Sequence, residues 1–160
     1  MIKRLFLAII VLLALSSGSW AAAVGTISQT IDTNFIELSR VSKVVTFTCV
    51  ASADNGSYPA TATSTEITGA LRGYYLYKLI IKPGTTNPTA SWGFTLVDGD
   101  GLDILGGAGA SMSASAVAMI APKLNSTTYF AQPIIDTLTL NITANSVHSA
   151  GITIKAIFVK

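Results

Sequence analysis

Residues that carry chemistry are scarce in this 160-residue chain: there is one cysteine and one histidine. The lone Cys49 excludes an internal disulfide. It lies in "KVVTFTCVA", where alternation puts it on one face with Val45 and Phe47, as a small buried hydrophobe or, alternatively, as a thiol that pairs between chains. The lone His148, in "NSVHSAG", cannot build a zinc site, which usually takes two or more His or Cys ligands. It is expected in an exposed loop. Glu37 and Glu66 are the only glutamates and stand in ordinary surface contexts, so paired glycosidase carboxylates are missing. No G-x-S-x-G occurs, and "GASMS" (109–113) only approaches it. "GGAGA" lacks the Lys-Ser/Thr and the helix of a phosphate-binding loop. These absences argue against an enzyme.

Charge is equally sparse, at 11% of residues. Two of the ten cationic residues, Lys3 and Arg4, belong to the opening stretch "MIKRLFLAIIVLLALSSGSWAAA". This has a positive start, an apolar run from Leu5 to Leu15 and small residues at Ser19, Ala21 and Ala23, the layout of a cleavable signal peptide over residues 1–23. The run is shorter than the roughly 20 residues that span a bilayer. No membrane span is expected after cleavage, and the protein is expected to be exported to the periplasm, the cell surface or the medium. Without Lys3 and Arg4, eight cationic residues balance eight anionic ones. A neutral domain with no basic cluster lacks the footprint that nucleic acid demands. Sparse charge near zero net charge instead favours self-association.

What the chain does have is alternation. Strands are expected over 43–51, 58–67, 74–82, 91–98, 102–107, 136–143 and 151–159, with Asn55-Gly56 as a hairpin signal between the first two. In 74–82, Tyr75, Tyr77, Leu79 and Ile81 are expected on one face and Leu76 and Ile80 on the other, a pattern of a central strand or one covered by a neighbouring subunit. The small-residue stretch 107–122 reads as a loop or a short helical turn. Residues 24–42 are expected to add a strand or an extended N-terminal arm ahead of the main domain, 43–160. The expected fold is all-β, a single antiparallel β-sandwich of Ig-like or jelly-roll-like kind with about seven to eight strands.

Two constellations invite a binding reading. "DGDGLD" (98–103) holds Asp98, Asp100 and Asp103 on a backbone loosened by two glycines. An EF-hand register fails from either start, because position 12 falls on Gly109 or Gly107 instead of a glutamate. A looser calcium site on the three aspartates is one reading; a Gly/Asp hairpin turn is the simpler one. The aromatics Tyr74, Tyr75, Tyr77 and Trp92 could form a glycan platform or simply pack in the core, and Tyr58 and Tyr129 near turns are equally ambiguous.

From about residue 40 onward, features occur in a fixed order. "VTFTCVASADNGSYPATAT" leads to an aromatic and aliphatic strand, then to a turn at "PGTTNPT". The Trp-Phe-Leu-Asp run into "LGGAGA" (92–110) follows, and "LTLNIT" and "HSAGITIKAIF" end the chain. In this the chain resembles a group of small β-rich, virion-associated proteins of tailed phages and prophages. The resemblance implies a structural subunit packed in a particle or surface assembly, with "DGDGLDILGG" as a recurring hairpin element. The leader departs from that pattern, since virion proteins assemble in the cytoplasm and rarely carry one. Together these features lead to the expectation of an exported, non-enzymatic subunit that assembles with itself or with a larger structure. The alternative is an extracellular adhesion module that uses calcium or glycan.

Overall fold

The computed structural model describes residues 23–37, 40–125 and 128–160. The expected leader, apart from Ala23, lies outside them. The described residues form nine strands and one short helix: β1 (Thr26–Glu37), β2 (Arg40–Val50), β3 (Thr61–Ala62), α1 (Thr65–Leu71), β4 (Tyr75–Pro83), β5 (Gly93–Val97), β6 (Ala118–Ile120), β7 (Gln132–Pro133), β8 (Thr139–Thr143) and β9 (Gly151–Val159).

The fold is an all-β antiparallel sandwich. One sheet runs β1-β2-β9-β4-β6, with β7 also paired to β4, and the other runs β3-β8-β5. Residues 24–42 therefore contribute a sheet strand, β1, and the start of β2. The long centre of the larger sheet follows from β-branched and aromatic side chains on a period of two. Val45, Phe47 and Cys49 of β2 and Ile152, Ile154, Ala156 and Phe158 of β9 all enter the core. From the smaller sheet come Phe94, Leu96, Leu140 and Ile142, joined by Leu138 just ahead of β8. Trp92 is fully buried, stacks on Phe94 at 5.8 Å between ring centroids, and donates its indole N–H to Ser113 O. That hydrogen bond satisfies the polar handle that makes a buried tryptophan costly.

Four expectations are corrected by the structure. In β4 the register with β9 shifts between Leu76 and Lys78. This bulge adds a residue and changes the phase, so Leu76 joins Leu79 and Ile81 in the core while Tyr75 is exposed. The strand is central, between β9 and the pair β6 and β7. Second, the Asn55-Gly56 turn forms, closed by Ser52 N–H to Ser57 O at 2.8 Å, but it joins no hairpin. It carries the chain from β2 in one sheet to β3 in the other.

Third, the expected strand 58–67 is cut to two residues by α1. Ser64 is the N-cap, its Oγ accepting the Ile67 N–H at 3.2 Å, and Glu66 sits in the first turn. Both stabilise a helix start, and burial of Ile67 and Leu71 fixes the helix to the core. At the other end Lys43 donates to Ala70 O and lies 4.3 Å from the Tyr74 ring centroid. Fourth, 102–107 is not a strand. Gly106 and Gly107 adopt φ of 58° and 78°, outside extended backbone, and only a single bridge, Val97 to Asp103, remains.

Candidate functional site

Within "DGDGLD" the carboxylates serve the backbone. Asp98 Oδ1 accepts the N–H groups of Asp100 at 3.1 Å and Leu102 at 2.9 Å. Asp103 Oδ1 accepts those of Leu96 at 3.2 Å and Leu105 at 3.1 Å, and its Oδ2 accepts that of Gly107 at 3.0 Å. Asp98 N–H donates to Leu102 O, Gly101 N–H to Asp98 O and Ile104 N–H to Leu96 O, so the chain turns back along β5. These are Asx-type turn bonds, which short acidic side chains form where the backbone must reverse. Asp100 is exposed. Among the described residues, no group of three His, Cys, Asp or Glu side chains is placed to hold a metal ion.

The other candidates lie apart from one another. His148 is exposed in the loop before β9, and Glu66 is exposed on α1. Cys49 is 1% exposed, and burial pushes its thiol up to about 12. Such a thiol is protonated at neutral pH, the opposite of what a nucleophile requires. Tyr58, also buried, donates its hydroxyl to Ala150 O at 2.9 Å. Burial first, and the neighbouring Cys49 second, raises its pKa.

The aromatic residues do not form one platform. Trp92 and Tyr58 are core residues, Tyr74 lies under Lys43, and Tyr75 is exposed near the start of β4. Tyr77, the residue at the bulge, instead meets Tyr129 across a surface cavity of about 490 Å³. Its lining also includes Lys78, Lys123, Met119 and Ile120. Lys78 Nζ lies 5.6 Å from the Tyr77 ring centroid, and Lys123 Nζ lies 6.0 Å from that of Tyr129. Met119 and Ile120 of its wall belong to β6, and Lys123 and Tyr129 are joined by a single antiparallel bridge.

Large apolar side chains are exposed in the same stretch of chain. Val117, Met119, Leu124, Tyr129, Phe130 and Ile135 are between 53% and 69% exposed, and all belong to the segment 117–135 that carries β6 and β7. Of these, Met119 and Tyr129 line the cavity itself. Met119, Phe130 and Ile135 escape a reading by period because they lie in short strands and loops. The available signal is large apolar residues in a stretch too irregular to bury them. No helix among the described residues is long and apolar enough to cross a membrane. No family model matches the chain, and no curated protein matches it either.

Proposed function

We propose that this chain is an exported, non-enzymatic structural subunit, which assembles with copies of itself or into a larger virion-like or cell-surface structure. The observation that carries this reading is the set of exposed apolar side chains Val117, Met119, Leu124, Tyr129, Phe130 and Ile135, on or near β6 and β7 at one edge of the larger sheet. Sparse charge, balanced once Lys3 and Arg4 leave with the leader, supports it, because little electrostatic repulsion opposes close packing of copies. The carboxylates of Asp98 and Asp103, already engaged by backbone amides, support the turn reading of "DGDGLD" over a calcium site.

The test is light scattering coupled to size-exclusion chromatography, with calcium and with chelator. A defined oligomer or filament, insensitive to calcium and reduced in size by M119S/F130S/I135S, is the expected result. A monodisperse monomer at high concentration would overturn the reading. N-terminal sequencing of the exported protein, expected to begin after Ala21 or Ala23, tests the leader.

A second reading has its own observation, the cavity with Tyr77 and Tyr129 flanked by Lys78 and Lys123. Aromatic faces stack on sugar rings and ammonium groups attract carboxylates, so the ligand would be an acidic glycan. Retention on immobilised acidic glycans, lost in Y77A and Y129A, would favour this adhesion role over assembly.

A further inference from the structure

The free edges of the two sheets differ in how they are protected. β3 has two residues and β6 has three, too short to template a partner. β5 is flanked on its outer side by the returning chain, through the Trp92–Met112 and Val97–Asp103 bridges. β1 is different. It has 12 residues, and Thr26–Asp32 run in unbroken register with Val50–Val44. Among the described residues, no strand pairs with its outer edge. The usual edge defences are lysine, proline and bulges. Thr26–Asp32 contains no lysine, arginine or proline, and the bulge comes only after Asp32.

We propose that β1 is a dimerisation edge, which pairs antiparallel with β1 of a second copy about a two-fold axis that runs between the two facing Gln29 residues. This inference rests on the assembly reading above and names its partner. The segment "TISQTID" (26–32) is complementary to itself in that register. Ile27 faces Ile31 of the second copy, Ser28 faces Thr30, and Thr26 faces Asp32, so no like charges meet. Ile27 and Ile31 are half-buried and packed against the core, whereas Ser28 and Thr30 are exposed. Pairing therefore joins apolar positions on the inner face and hydroxyls on the outer one. A one-residue slip would set isoleucines against hydroxyls, which selects against it.

Gln29 stands beside the proposed axis, opposite its own copy. Its Nε2 donates to Ala62 O at 2.7 Å, but its Oε1 is enclosed and accepts nothing. Turning the amide toward the facing Gln29 gives up no acceptor bond at that oxygen. The edge itself would gain a row of backbone hydrogen bonds over seven residues a side, about 24 Å of ladder. A two-fold arrangement closes on itself, so this contact makes dimers and leaves the 117–135 surface free for a further contact.

The register is testable on the full chain by disulfide trapping. In S28C/T30C each new thiol faces one on the second copy, while in S28C or T30C alone it faces a hydroxyl. Cys49, being enclosed, stays out of the reaction. Mild oxidation is expected to convert S28C/T30C to a covalent dimer at least five-fold more than either single variant. S28K/T30K, which sets lysines face to face at exposed positions, is expected to halve the mass measured by light scattering with the circular dichroism spectrum unchanged. Equal trapping in single and double variants, or wild-type mass in S28K/T30K, overturns the edge pairing and leaves the assembly reading intact, provided the wild type is oligomeric. A wild-type chain that is monomeric throughout overturns both.

Discussion

Asp103 and Leu96 meet across the Asp/Gly turn, with the carboxylate Oδ1 accepting the Leu96 N–H at 3.2 Å. The same carboxylate also receives Leu105 and Gly107, so one side chain pins β5, the turn and the chain beyond it. Asp103→Ala is expected to destabilise the fold by about 2 kcal/mol or more, because several backbone donors lose a charged acceptor together. Asp100→Ala, at an exposed position, should fall within about 0.5 kcal/mol of wild type. Urea midpoints measure both. If the two aspartates cost the same, the backbone-acceptor role of Asp103 is refuted; if calcium raises the melting temperature and either substitution abolishes that rise, the turn is a metal site.

Asn145 ties three loops together. Its Nδ2 donates to Gly56 O at 2.6 Å and to Val147 O at 3.0 Å, and its Oδ1 accepts the Thr89 N–H at 2.9 Å. Asn145→Ala should cost about 2–3 kcal/mol by leaving these groups without partners. Asn145→Asp should cost at least as much, since a carboxylate would face two carbonyl oxygens. Thermal unfolding of both variants checks the order.

Two glycines separate backbone strain from steric overlap. Gly101, at φ 86°, has open space where a Cβ would stand, so Gly101→Ala should cost only the left-handed penalty of about 1–2 kcal/mol. Gly106, at φ 58°, would place a Cβ 2.0 Å from Lys123 O. Gly106→Ala must add backbone displacement to the same penalty and should lose about 3 kcal/mol or more. Equal losses in a denaturant titration would refute the packing of this turn against Lys123.

Burial of Cys49 gives stability a dependence on alkaline pH. The folded-state pKa is raised from 9.0 to about 12, so the neutral thiol is the form that folding favours. Its contribution is complete below pH 9 and is lost as pH rises toward 12, because the unfolded chain ionises first. Tyr58 shifts in the same direction. The midpoint of urea unfolding should therefore fall between pH 9 and pH 12, and less steeply in C49A. Native protein at pH 8 should react with iodoacetamide only on unfolding; rapid alkylation would contradict the burial.

Some features of the fold are local enough to read in the chain. Val45, Phe47 and Cys49, or Leu138, Leu140 and Ile142, reach the core because a period of two is a property of the extended backbone itself. The punctuation at Asn55-Gly56 and Asp98–Asp103 is similarly local, since it depends on side chains that hydrogen-bond their own neighbours. The α1 start at Ser64 and Glu66 was also written there, hidden within a threonine-rich run of strand-like composition.

Other features required the folded chain. Which strand lies beside which is a matter of long-range pairing, so the chain alone does not announce that β2 joins β1 and β9 or that the Asn-Gly turn crosses between sheets. The β4 bulge, which reverses the expected facing of Leu76 and Tyr75, appears only against the register of β9. The meeting of Tyr77 and Tyr129, 52 positions apart, and the open edge at β1 have the same origin. Local sequence determined the strands, their inward faces and the turns, because those follow from backbone period and near-neighbour hydrogen bonds. Tertiary structure alone decided which surfaces and edges stay open, because these are what remains after distant segments have chosen one another.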